Sequence, residues 1–200
     1  MQNQEKKMKN IIAWGFRRRS SDIVKMLKSQ NNCQVVEWFG RDPQCTYHFR
    51  DMIKCNIPAV EPLYPDDLYN QALESFLTYF VLHNRKNQVF YNKEKFYDYF
   101  DMFSLYFSFF YDLLTSKRID GIVFSNLPHI GPDYIIYITA KILNIKTLLF
   151  YQGPFQNRFF YVEDLSDFGT FKAMKHKFDS AHYQIEQSYN KDHFYMKSLE

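Results

Sequence analysis

Residues 124–134 read FSNLPHIGPDY. They place His129 between two prolines, where an apolar run gives way to the pattern of a helix start. Imidazole ordinarily titrates near neutrality, so a histidine held in a short loop can act as a general base. The plainer alternative is a helix-entry residue that bonds the local backbone. Asn126 carries an amide able to orient a sugar or phosphate oxygen, and it is equally a turn former. Asp133 can orient His129 from four positions on. Its more economical role is to complement the dipole of the helix that starts there.

Two other polar stretches offer chemistry. GFRRRSS (15–21) sets Arg17, Arg18 and Arg19 before a helix start, where backbone N–H groups and cations together favour phosphate or carboxylate. A solvated basic face is the competing reading of so short a run. QGPFQNRFF (152–160) offers Gln152 and Arg158. Arg158 either pairs with an anionic group or is a surface arginine.

The elements that position these loops follow from periodicity. NIIAW (10–14) and QVVEWF (34–39) are apolar runs that stop at Gly15 and Gly40, and they read as buried strands. SDIVKMLKSQ between them has the apolar face of a helix, giving a βαβ unit. Residues 41–68 contain four prolines and yield only a weak extended stretch near 57–60. Helices are expected at 67–83 and 93–116, the second with rings on nearly every face. IDGIVF (119–124) and IKTLLFY (145–151) are the next strands. Between them, GPDYIIYITAKILN (131–144) is a helix with Pro132 in its first turn and Asn144 suited to a left-handed cap. Strands alternating with helices imply α/β architecture: a Rossmann-like parallel sheet of about five strands with helices on both faces. Residues 1–160 form that domain. Residues 161–200 read as a helical, polar segment rich in Lys and His.

In open parallel sheets, ligands bind outside the carboxyl ends of the strands, near the point where strand order reverses. The three polar loops are expected to converge on that edge.

Composition narrows the partners. A formal net charge of +3 in 200 residues gives no electrostatic footprint for nucleic acid. Three cysteines without a CxxC pair fit a reducing compartment and supply no zinc spacing. Neither GxGxxG, nor a P-loop, nor GxSxG occurs, which argues against dehydrogenases, NTPases and serine hydrolases. The aromatic share is 20%, part of which an AT-rich genome would explain. The run 96–114 is the best membrane candidate, but Asp98, Asp101 and Asp112 interrupt it. It is expected to be a covered helix, with peripheral membrane contact left open. The polar N-terminus leads straight into a short apolar run, so no signal peptide is expected there. Leu199-Glu200 resembles a cloning scar, so the native chain is expected to continue.

The stretch 119–158 resembles the N-terminal domain of GT-B glycosyltransferases. There a strand ends in a His-containing loop, and a helix closing in "A…L-G-I" leads to the next strand. Ala140, Leu143, Asn144 and Ile145 match that closing pattern, with Asn144 in place of glycine. FYQGPFQNRFFYVEDLSDFG is similar to bacterial capsular or surface polysaccharide biosynthesis proteins. The resemblance implies an acceptor-binding half, with His129 as base and Asn126, Asp133, Gln152, Arg158, Arg17 and Arg18 in substrate binding. It implies no metal and no cofactor bound by this domain. The sugar nucleotide donor would sit on a second Rossmann-like domain of the same polypeptide, and the expected partner is a saccharide acceptor, not nucleic acid. The implied location is cytoplasmic, at the inner face of the membrane. The alternative is a non-catalytic domain that recruits a second subunit or the membrane through its aromatic-rich helix.

Overall fold

The computed structural model describes residues 8–16, 24, 25, 27, 29, 32–61, 63–83, 96–129, 131–152 and 159–169. Six strands form one sheet: β1 (Lys9–Phe16), β2 (Cys33–Gly40), β3 (Tyr47–His48), β4 (Gly121–Phe124), β5 (Lys146–Gln152) and β6 (Phe159–Val162). Their order is β3-β2-β1-β4-β5-β6. The first five run parallel, and β6 is antiparallel to β5. The fold is α/β and Rossmann-like, with the order reversing between β1 and β4.

The sheet has one strand more than the periodicity suggested. An antiparallel neighbour needs only a short return, so β6 follows β5 without a crossover helix. It carries the sheet through Val162, two residues past the boundary drawn at 160, and a 3₁₀ turn (Leu165–Asp167) follows. Residues 170–200, expected to be helical and polar, lie outside the described residues. The extended stretch expected near 57–60 carries no strand. A two-residue β3 and the short helix α1 (Phe49–Ile53) take its place earlier in the chain.

One face of the sheet carries α2 (Asp66–His83), α3 (Phe96–Ser116) and α4 (Pro132–Ile142). Ile12, Trp14, Ile122, Phe124 and Leu149 point from the strands into this core. They meet the rings of α3: Tyr99, Phe103, Tyr106, Phe107, Phe109 and Phe110 are all buried. Trp14 stacks on Phe39 at 4.7 Å and meets Phe110 edge-on at 5.8 Å. Burying each such side chain stabilises the fold by about 1.5–3 kcal/mol, which makes this layer the main source of stability. Polar tips are satisfied locally. The Tyr106 hydroxyl donates to the Met52 carbonyl, and Tyr69 and Ser104 share a hydrogen bond of 2.7 Å. Among the described residues, no helix is long and apolar enough to cross a membrane.

A register shift after Ile11 makes Val36 an extra residue in β2 and turns Glu37 toward the packed face. Glu37 is only 3% exposed and pairs with Lys117 just beyond α3. That hydrogen bond raises the Lys117 ammonium above its ordinary value. A buried carboxylate left alone would be strongly unfavourable, so the pair fixes where the end of α3 meets the sheet. On the opposite face, the helical residue Val24 packs with Ala13, Phe16 and Trp38.

Both α3 and α4 end in the same backbone motif. After α4, Ile145 N–H donates to Ala140 and Asn144 N–H to Lys141, with Asn144 left-handed at φ 55°, as its residue type suggested. After α3, Ile119 donates to Leu114 and Arg118 to Thr115, but the left-handed residue is Arg118 at φ 49°. A left-handed conformation costs a side-chain-bearing residue about 1–2 kcal/mol, a penalty that glycine escapes. Arg118 is exposed and appears in no side-chain hydrogen bond or ion pair among the described residues. Arg118→Gly should therefore raise unfolding free energy by about 0.5–1 kcal/mol, read from urea denaturation midpoints at unchanged m-value.

Candidate functional site

The site is built where β1 and β4 end side by side. Gly15, next to last in β1, has φ +83°, and a Cβ there would sit 2.4 Å from Ser125 Oγ. Ser125 N–H in turn donates to the Trp14 carbonyl at 2.8 Å. The first residue of the 125–131 loop is thus pressed against the end of β1, a contact that only a residue without a side chain permits.

Beyond it the loop is ordered by short-range bonds. The Asn126 side-chain oxygen accepts from Leu127 N–H at 2.9 Å, which is the turn-forming role. Pro128 is buried. His129 N–H donates to Asp133 Oδ2 at 2.9 Å, and His129 Nδ1 lies 2.7 Å from the Leu127 carbonyl. A carbonyl oxygen can only accept, so Nδ1 carries the hydrogen and the neutral ring keeps its lone pair on Nε2.

Asp133 satisfies two demands at once. Gly131 is the N-cap of α4 and has no side chain to offer, and Pro132 follows it. Asp133, in the first turn and 8% exposed, supplies the negative charge that the helix start favours. Its Oδ2 also stands 3.7 Å from His129 Nδ1. The His129 side chain remains 43% exposed.

The structure places Asn126 and His129 in this loop and Asp133 in the first turn of α4, where it accepts from His129 N–H. Gln152 ends β5 on the same edge, paired with Phe159, and its side chain lies outside the described residues. Arg17, Arg18 and Arg158 also lie outside them. Two groups escaped the sequence reading. Asp42, 4% exposed just beyond β2, accepts from Gln44 N–H at 2.9 Å. Asp164 gathers Tyr137 Oη at 3.1 Å, Lys141 Nζ at 2.9 Å and Ser166 N at 2.9 Å. The DLS spelling of an Asx turn at 164–166 was the available signal for the second. A cavity of about 590 Å³ exists as well, but it opens at the opposite, amino-terminal half of the strands. None of the expected site residues line it.

Set against protein-family models, curated proteins and solved structures, the chain matches none. Function must be argued from the loop itself.

Two predictions follow from this geometry. Gly15→Ala should lower stability by roughly 2–3 kcal/mol, falling to about 1–2 kcal/mol in a Ser125→Ala background once the Oγ contact is gone. Chemical denaturation of the four proteins in the cycle reads the coupling. The second concerns Asp164. Burial alone would raise its pKa, but hydrogen bonds from Ser166 and Lys141 outweigh that and hold the carboxyl well below the carboxylate range. A lowered folded pKa contributes stability that is present above the unfolded value of about 3.9 and is lost as pH falls through the folded one. The stability difference between wild type and Asp164→Asn should stay flat from neutral pH to about pH 5 and shrink below about pH 4. Denaturation at a series of pH values checks it.

Proposed function

We propose that this chain is the acceptor-binding, N-terminal half of a bacterial glycosyltransferase that moves a sugar from a nucleotide donor during capsular or surface polysaccharide biosynthesis. The observation that carries this reading is the state of His129. Its Nδ1–H is committed to the Leu127 carbonyl at 2.7 Å, and its other nitrogen is left as a base on the ligand-binding edge of a Rossmann-like sheet. The His-loop and helix resemblance in residues 119–158 supports the same reading.

In the proposed reaction an acceptor hydroxyl gives its proton to His129 Nε2 as its oxygen attacks the anomeric carbon. The glycosidic bond to the nucleotide diphosphate breaks, and the diphosphate leaves with the bonding pair. The imidazolium keeps its Nδ1–H on Leu127 and gains the nearby charge of Asp133. Asn126 and Gln152 orient the acceptor through amide hydrogen bonds, while Arg158, Arg17 and Arg18 attract anionic groups. The donor belongs to a second Rossmann-like domain of the same polypeptide, working at the cytoplasmic face of the membrane. A recruiting-domain function would need the rings of 96–111 on the surface. Among the described rings there, only Tyr97 is exposed, at 76%.

The test uses the native full-length gene product with a radiolabelled nucleotide sugar and membrane-derived acceptor. His129→Ala should reduce kcat by about 10²–10⁴-fold, the usual contribution of general base catalysis, with donor KM little changed. Wild-type turnover in that variant would remove the base assignment.

A further inference from the structure

The carboxyl edge of the sheet carries a second polar position at the end of β2, on the far side of β1 from the His129 loop. Gly40 is the last residue of β2, and a Cβ there would lie 2.7 Å from the Phe16 carbonyl oxygen and 3.2 Å from Trp38 Nε1. The Trp38 indole thus brings its nitrogen to the carboxyl end of the strand. Trp38 is 4% exposed, and its Nε1–H is a buried donor without an acceptor. Two residues past Gly40, Asp42 is equally buried. Its Oδ1 accepts from Gln44 N–H, while among the described residues no donor meets Oδ2 and no cation pairs with the group. Arg41 and Pro43 on either side are exposed, so the carboxylate lies directly beneath the surface. Buried polar groups are ordinarily paired, and two unpaired groups at one strand end, on the edge where such sheets bind ligands, point to a ligand.

The two groups restrict its chemistry. Indole N–H only donates and a carboxylate only accepts, so a group held by both must accept and donate at once. An anion would accept from Trp38 but meet the charge of Asp42. An ammonium would donate to Asp42 but offer nothing to the indole. A hydroxyl does both. The neighbouring side chains add no charge: Ala13, Phe16 and Val24 pack with Trp38, and Cys45 lies against them. Burial pushes the Cys45 thiol above its ordinary value, and the charges of Asp42 and Asp51 add to that shift. The thiol therefore stays protonated and is no nucleophile.

We propose that Trp38 Nε1–H and the Asp42 carboxylate form a subsite for a sugar hydroxyl, holding the acceptor saccharide one sugar or more away from the hydroxyl that reacts at His129. The ends of β2 and β4 are two strand spacings apart, about 10 Å, which a chain of sugars covers. The proposal rests on the acceptor-binding reading for the identity of its ligand.

The test uses the native full-length gene product, isotope-labelled at its tryptophan indole nitrogens. Trp14 and Trp38 are the tryptophans of this sequence, and the Trp38 signal is the one lost in Trp38→Phe. Titration with the methyl glycosides of glucose, galactose and N-acetylglucosamine should move that signal downfield with at least one of them, as its N–H gains an acceptor. In Asp42→Asn the side-chain oxygen still accepts from Gln44 N–H, so the turn is kept. That variant should weaken glycoside binding by about tenfold, the usual scale for a hydrogen bond to a charged group, and its loss in turnover should be carried by acceptor KM instead of kcat. No shift with any glycoside, a shift no larger than glycerol gives, or unchanged affinity in Asp42→Asn would overturn the proposal. A shift with uridine alone would do the same, because the position would then belong to the ribose of a nucleotide. The two readings fail separately. A shifted Trp38 signal beside wild-type turnover in His129→Ala keeps the subsite and removes the base, and an unmoved signal beside lost turnover does the reverse.

Discussion

The pairing of β1 with β4 is the constraint on which the rest of the molecule depends. Ile11 to Trp14 run beside Gly121 to Phe124, joining parts of the chain about a hundred residues apart. Closing so long a loop is entropically unfavourable, though the penalty grows only with the logarithm of length. A polar clasp secures one end: Asn10 N–H donates to Asp120 Oδ2 and Asp120 N–H to the Asn10 carbonyl, each at 2.8 Å. The Ser125 bond to Trp14 secures the other. This pairing also makes the strand order reverse, and the reversal leaves the 125–131 loop beside the end of β1 instead of against another crossover.

What holds β4 against β1 is the ring-filled layer above both. Trp14 from β1 and Phe124 from β4 lie 6.1 Å apart, and Phe110 of α3 meets Trp14. Two long helices and a shorter one must fill the whole of that face, and aromatic side chains provide the most buried area per residue. A composition that an AT-rich genome would help explain is here used as core volume. Of the rings that suggested a recruiting surface, Phe103, Phe107, Phe109 and Phe110 are buried in this layer, while Tyr97 is exposed.

The legible parts of the fold were those in which local preference and tertiary packing agree. β1, β2, β4, β5, α3 and α4 were all visible, because apolar runs bounded by Gly15, Gly40 and Gly131 leave few alternatives. Asn144 could be assigned to its cap from its type alone. Arg118 occupies the same left-handed position after α3 and gave no signal, since nothing local favours arginine there. β3 was hidden by its two-residue length. β6 was hidden because FFYV follows a polar loop and pairs with a strand already complete in itself. The extra residue Val36 and the buried Glu37 behind it had no signal in the apolar run QVVEWF. At the site, the loop and its helix-start physics were legible, while the tautomer of His129 was not. That depends on where the Leu127 carbonyl lies, which no residue type encodes.

The position of His129 is a property of α4 more than of a loop. At the start of the helix, Asp133 holds the His129 N–H, and Pro128 is buried behind it. Midway, Tyr137 donates to Asp164 and accepts from Leu165 N–H at 3.0 Å. Near its end, Lys141 pairs with Asp164 and donates to the Glu163 carbonyl at 2.9 Å. Thr147 of β5 donates to that same carbonyl at 2.6 Å, so β5 and the turn after β6 grip the helix together. A helix fixed along its length cannot rotate its first turn, and the carboxylate of that turn cannot drift from the ring. Bases mounted on rigid elements keep the sub-ångström placement that proton transfer needs, and mobile loops lose it. By that argument the turn at 163–167, far from the proposed chemistry in sequence, belongs to the support of His129 as much as Asp133 does.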